Sequence, residues 1–296
     1  VAVAAAGTLA RRDRRFGLLL TAPGLAALVS VVAFPLAFTF YTSLYDYTLV
    51  HPMHDTFSGF DNFVEAWEAD YLTDSLWVTL KFVLASVAIE FVIGFAVALA
   101  LDRIHRFKNV YYLILLAPLL MNPVVVAQLW RMILHSELGI MNYLIGLVGI
   151  HKTNFLGDPV NAFWTVVLVD IWHQVSFMAI LLMSGLAALP REPYEAARMD
   201  GASAIRTFIH ITLPLMRPVI AVALLLRLIF AIKTFDIVWI MTRGGPGTAT
   251  DLISYFIYRS AFFGLDVGRA AAMSLALLVL VLALTAYLYR YMRSLT

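Results

Sequence analysis

Apolar positions fall into six long continuous stretches, residues 16–44, 76–101, 110–132, 163–189, 218–241 and 267–289, separated by short polar segments. Each is at least as long as the roughly 20 residues that a helix needs to cross a hydrocarbon core. A membrane-spanning strand would instead alternate apolar and polar positions over about ten residues. The pattern predicts an all-α integral membrane protein with six transmembrane helices. Pro23, Pro35, Pro118 and Pro123 lie inside or beside these stretches. In a membrane they kink a helix rather than forbid it.

Composition agrees: 62% of the 296 residues are hydrophobic and 14% are charged, where a soluble domain carries about a quarter charged. The absence of cysteine excludes disulfides and thiolate metal sites. Basic residues set the orientation. With the N-terminus inside, inner segments carry Arg11, Arg12, Arg14, Arg15, Arg103, Arg106, Lys108, Arg191, Arg198, Arg206, Arg217, Arg290 and Arg293. Outer segments carry Arg131, Lys152, Arg243, Arg259 and Arg269, and the first outer loop is acidic. That excess predicts both termini in the cytoplasm. Residues 16–44 form too long a run for a cleaved secretion signal, so residues 1–15 read as a cytoplasmic tail and 16–296 as the six-helix membrane domain.

Two outer segments carry their own order. Residues 136–149 have apolar positions near helical spacing and suit a short interfacial helix. Residues 251–263 hold Tyr255, Phe256, Tyr258, Phe262 and Phe263, which suit the headgroup boundary. Between them, Gly244, Gly245 and Pro246 predict a tight outer turn. Without the Lys of G-x-x-x-x-G-K-[ST] this stretch is no phosphate loop, and the chain has no ATPase site of its own.

The inner segment at residues 190–217 is long for a connector. Glu195, Ala196 and Ala197 favour helix, Asp200-Gly201 signals a turn, Ser203 can cap a second helix, and Pro214 ends or kinks it. A helix–turn–helix beside the membrane predicts a docking element. The series Glu195-Ala196-Ala197, Gly201, then Ile211, Leu213 and Pro214 resembles the EAA loop of binding-protein-dependent ABC importers. The Gly-Gly-Pro outer loop, the first outer loop (FSGFDNFVEAW) and NPVVVAQLW are similar to the maltose- and glycerol-phosphate-type sugar permeases. The resemblance is to the compact six-span version, expected to lack the large inserted outer domain and the two extra N-terminal spans of the enterobacterial maltose subunit.

The resemblance implies a type I ABC importer permease subunit in a bacterial or archaeal cytoplasmic membrane, importing a sugar, polyol or glycerophosphate. It implies that Glu195 touches an ATPase, Gly201 permits the turn, and Ile211, Leu213 and Pro214 anchor the loop. The implied partners are a second, homologous permease in a heterodimer, two ATP-binding-cassette subunits, an extracytoplasmic solute-binding protein and membrane lipid, with no nucleic acid. No cofactor is expected on this chain; ATP and magnesium are used by the partner ATPases.

Polar residues inside spans are costly and normally face a cavity or a partner. Asp170, His173, Gln174 and Phe177 are spaced i, i+3, i+4, i+7 and share a helix face, and Arg227, Phe230 and Thr234 line another. Carboxylate, amide, imidazole and guanidinium groups beside aromatic rings suit sugar hydroxyls and the apolar sugar face, and the resemblance implies that these positions line a transmembrane sugar site. Asp170 and Arg227 could equally pair to hold the helices together. Lys233 and Asp236 suggest a local ion pair, and mid-span Glu90 must face protein.

Other classes fit less well: an ABC importer of a non-sugar solute can share the EAA loop, but the Gly-Gly-Pro outer loop argues against it. An ion-coupled secondary transporter is expected to show inverted repeats and interrupted helices, and neither is visible in the sequence. No His-x-x-x-His pair or nucleophile–base signature marks catalysis or metal binding.

Overall fold

A computed structural model describes residues 2–50, 56–104, 106–149 and 151–293. The side chains of residues 2–15, 18, 19 and 291–293 lie outside the described set, among them Arg11, Arg12, Arg14, Arg15 and Arg293. The chain divides into two compact units, Val1–Trp67 with Ser260–Ala276, and Glu68–Arg259 with Leu277–Thr296.

The first unit is built on helix α1 (Ala2–Ser43), so the backbone of the expected tail is helical from Ala2. The span candidate within it, Leu20–Ser43, buries none of its most apolar window, which is what a helix solvated by lipid or by a partner requires. A two-stranded antiparallel ribbon follows, β1 (Tyr45–Asp46) on β2 (Thr56–Phe57), then α2 (Asp61–Glu68). Buried Asn62 ties this cap together: its amide donates to the carbonyls of Ser43 at 2.9 Å and Tyr45 at 2.8 Å. Arg269 reaches Glu65 at 3.0 Å.

The second unit is a helical bundle. Helices α3 (Leu72–Arg103) and α7 (Pro159–Ala187) form its centre. Small residues let them approach: a Cβ added at Gly94 would lie 2.8 Å from the Met178 side chain. Phe82, Val166, Val167 and Val238 fill one core cluster, and Phe95, Met178, Leu182 and Met216 fill a second. Helix α7 starts where Asp158 accepts hydrogen bonds from the backbone N–H groups of Val160 and Asn161, with Pro159 at the first helical position.

The third apolar stretch is not one straight span. It splits into α4 (Lys108–Leu120) and α5 (Pro123–Ile133), bent by 94°. Pro123 has no N–H to continue the ladder and drives the preceding residue out of the α region; Asn122 sits at φ −64, ψ 132 and caps α5 through Val124 N–H. Among the described residues, five helices are long and apolar enough to span, and six if this bent pair is one span.

The short helix expected near residues 136–149 is α6 (Ile140–Leu147). The inner loop folds as α8 (Glu192–Met199) and α9 (Ala204–Thr207), with Gly201 between them at φ +69. A π-turn (Phe208–Thr212) and α10 (Leu213–Leu215) lead into α11 (Arg217–Ile232). The fifth span then breaks at residues 233–235 and resumes as α12 (Asp236–Met241). This interruption was not visible in the sequence. The described residues end with α13 (Ile253–Phe262) and α14 (Val267–Arg293).

Candidate functional site

Both helix breaks border one cavity. Of about 390 Å³, it is lined by Leu119 and Pro123 at the α4–α5 bend, by Asp170, His173, Gln174 and Phe177 from α7, and by Phe230, Lys233, Thr234, Phe235, Asp236 and Ile237 around the α11–α12 break. Six of the seven residues expected at a solute site therefore meet here. Phe177 and Phe230 stand edge to face, ring centres 5.4 Å apart.

Arg227 is the exception. Its side chain is 1% exposed and does not line the cavity. The guanidinium donates through Nη2 to Glu90 Oε1 at 2.8 Å, through Nε to Glu90 Oε2, and through Nη2 to Asp170. Glu90 is on α3, Asp170 on α7 and Arg227 on α11, so one triad joins three helices. A buried guanidinium without a carboxylate would be prohibitively costly, whereas bidentate pairing satisfies it. The pairing of Asp170 with Arg227 is thus present, and Glu90 completes it. The sequence placed Glu90 against protein without identifying its partner.

His173 uses both ring nitrogens. The Gln174 amide nitrogen, a donor only, lies 3.2 Å from Nδ1, so Nδ1 accepts and Nε2 carries the proton toward the Met121 carbonyl, also at 3.2 Å. Ser176 donates to the Leu115 carbonyl. These bonds fix α7 against the bent α4.

Lys233 and Asp236 do not form the suggested ion pair; none joins them among the described residues. The i, i+3 proximity of a regular helix is lost because the break lies between them. The break is supported from outside the helix. Ser254 donates to the freed Ile232 carbonyl at 3.0 Å, and Phe235 packs in a ring cluster with Trp239, Tyr255 and Tyr258. Arg131 of α5 donates to the Ile240 carbonyl of α12 at 3.0 Å, joining the far halves of both broken helices.

The Gly-Gly-Pro stretch and the glycine after it use the positive φ open to glycine, +81 at Gly244 and +60 at Gly247. At Gly244 a Cβ would also strike Tyr255 at 2.7 Å. Beyond it, Asp251 accepts from Arg259 at 2.6 Å. Burial pushes the Asp251 carboxyl up to about 6, against the pull of the Arg259 guanidinium. In the loop after α5, Lys152 beside Glu137 holds that carboxyl below its usual range.

At the other end of the bundle, a cleft of about 1050 Å³ runs between the end of α3 and the α8–α9 loop, with Glu195, Arg198 and Ile205 on its wall. Glu195 and Ala196 are exposed, Ala197 is buried, and Ile211, Leu213 and Pro214 are half-buried where the loop rejoins the bundle. Tyr194 donates to Thr212 at 3.1 Å across the loop. Met199 and Ile205 are 88% and 73% exposed, apolar surface of the kind a protein partner covers.

Residues 90–295 match the model of the binding-protein-dependent transport system inner membrane component family. The chain belongs to this family. Its members are membrane components, and this permease is 36% identical over 265 residues to the trehalose/maltose transport system permease protein MalF of Thermococcus litoralis, with 89% of each chain covered. It is 32% identical over 286 residues to the sn-glycerol-3-phosphate transport system permease protein UgpA of Salmonella choleraesuis, with 96% of each covered. The permease also superposes on a chain from the crystal structure of a bacterial ABC transporter involved in the import of the acidic polysaccharide alginate, with a TM-score of 0.82, 23% identity and 97% of each chain covered. That likeness establishes the type I ABC permease fold.

Proposed function

We propose that this permease is the translocation subunit of an ATP-driven importer for a sugar or sugar-like solute, with both termini in the cytoplasm of a bacterial or archaeal cell. The observation that carries it is the cavity where Asp170, His173, Gln174, Phe177, Phe230 and Thr234 converge beside two interrupted helices. It combines an aromatic platform with a few convergent polar groups, as small-molecule sites do. The names of the trehalose/maltose and glycerol-phosphate relatives favour a carbohydrate class.

The exposed Glu195 loop suits docking of an ATPase subunit. Glu195, Ala196, Ala197 and Gly201 are proposed as the contact face, with Ile211, Leu213 and Pro214 as its anchor. Two ATP-binding-cassette subunits using ATP and magnesium, a second homologous permease and an external solute-binding protein complete the assembly. ATP would favour one access state through its differential affinity for the two.

The test is a gentle detergent pull-down from the native membrane with quantitative mass spectrometry, followed by reconstitution. Recovery of one homologous permease and two ATPase copies per chain, with ATP-dependent uptake, supports the reading. Recovery of the chain alone, moving solute without ATP, would overturn it.

A further inference from the structure

The relatives do not decide whether the cargo is charged: names at similar identity refer to trehalose and maltose on one side and to glycerol phosphate on the other. The cavity's own donors and acceptors do. An anion is an acceptor and needs cationic or multiple N–H donors, and three residues near the cavity could supply them. Arg227 is withdrawn, its charge taken up by Glu90 and Asp170 behind the wall. Whether one of those carboxyls keeps a proton or both are ionised, the triad offers no positive charge. His173 is withdrawn as well, since Gln174 and the Met121 carbonyl occupy both ring nitrogens.

That leaves Lys233, and Asp236 lines the same cavity three residues on. Asp236 also sits in the first turn of α12, where a carboxylate offsets the positive end of the helix backbone. Against one free cation among the described lining residues stand the Asp236 carboxylate, the Gln174 carbonyl, left free when its nitrogen turns to His173, and the Thr234 hydroxyl oxygen, while Asp170, its charge committed to Arg227, adds an acceptor oxygen but no free charge. Such an acceptor-rich lining suits hydroxyl groups, which donate as well as accept. The Phe177–Phe230 edge-to-face pair offers an apolar wall for ring C–H groups.

We infer that the cavity selects an uncharged, hydroxyl-rich solute against anionic ones, and that Lys233 and Asp236 are direct solute contacts. Asp236 binds vicinal hydroxyls, Lys233 donates to a hydroxyl or ring oxygen, and together they cost a phosphate, sulfonate or uronate more than it gains. The inference rests on the importer reading above, and the test separates the two.

The full complex, with both permeases, the ATPases and the binding protein, is reconstituted in liposomes. ATP-driven uptake is measured for uncharged saccharides and polyols and for sugar phosphates, uronates and sn-glycerol 3-phosphate. The expected result is uptake of an uncharged member, with its phosphorylated counterpart at least about tenfold poorer, as like-charge juxtaposition requires. Asp236→Lys should narrow that preference several-fold without preventing assembly, and Lys233→Gln should raise the KM for the uncharged solute. Preferred uptake of an anion would overturn the inference and leave the importer reading standing. So would an unchanged preference in Asp236→Lys, because the binding protein alone would then set selectivity. Absence of ATP-driven uptake for every probe would overturn the importer reading itself.

Discussion

Arg227 and Glu90, 137 positions apart in sequence, make a bidentate ion pair sealed from solvent, with Arg227 Nη2 2.8 Å from Glu90 Oε1. Asp170 shares the same nitrogen. The pair closes α3 onto α11, and its third member carries that constraint to the cavity wall. Arg227→Met would leave two carboxylates buried without a cation, which costs about 3–5 kcal/mol. The variant complex should therefore melt well below wild type in detergent, while Glu90→Leu, Asp170→Leu and Arg227→Met combined should recover most of the lost stability. If the triple variant recovers stability yet transports nothing, Asp170 is needed by the solute and not only by the fold.

Glu195 is exposed on a short helix whose neighbour Ala197 is buried. Glu195→Ala removes a carboxylate without disturbing the packing beneath it. The chain should insert and fold normally, while ATPase co-purification and uptake fall at least about tenfold, the scale of one interface hot spot. Wild-type co-purification and uptake in this variant would remove the docking assignment.

At Gly201 the surroundings are open, with nothing within 4 Å of an added Cβ, but φ is +69. Gly201→Ala is therefore a test of backbone conformation alone. It should cost about 1–2 kcal/mol and loosen the α8–α9 turn, seen as faster amide exchange in the loop with the bundle unaffected.

The two rings at the cavity act on the solute rather than on each other alone. Phe230→Ala should weaken the apparent solute affinity about three- to tenfold, the range for a lost aromatic contact. Assembly should be retained, since Phe230 is 45% exposed in the cavity wall. Steady-state uptake kinetics would register this as a higher KM.

Asp251 gives a pH dependence with a definite sign. Its folded carboxyl titrates near 6, above its ordinary value of 3.8, so between those values the folded state holds more protons than the unfolded one. Its contribution to stability is then greatest at low pH and is lost as pH rises through about 6. Relative to Asp251→Asn, wild type should lose thermal stability between about pH 4 and 6, and the difference should level off above that. A parallel course for the two proteins would contradict the burial argument.

How much of this was legible in the sequence depends on where each constraint lies. The spans were, because burial in lipid demands long unbroken apolar runs. The α8–α9 turn was, because Asp200-Gly201 and Ser203 encode it locally. The 94° bend was half legible: Asn122-Pro123 is a turn signal, but it was read as a kink within one span. The break at 233–235 was not legible, since no glycine or proline marks it and its support comes from Ser254, Trp239 and Tyr258, further along the chain. The same holds for Arg227. Its i, i+3, i+7 relation to Phe230 and Thr234 assumes an uninterrupted helix, and its long side chain reaches a carboxylate on α3 that no local pattern points to.

The segment from Ala204 through the π-turn and α10 to Ile232 runs from the inner loop to the cavity without an extended residue. Its 29 residues keep helical backbone conformations, but a turn at Met216 divides them into the short helix Ala204–Leu215 and the span that begins at Arg217. One end is the Ser203 cap beside the Gly201 turn, and the other is the break under the cavity. Backbone already bonded into helical turns has less slack to absorb a displacement than a loop does. The points at which a shift imposed at Ser203 can be taken up are thus the turn at Met216 and the three residues 233–235.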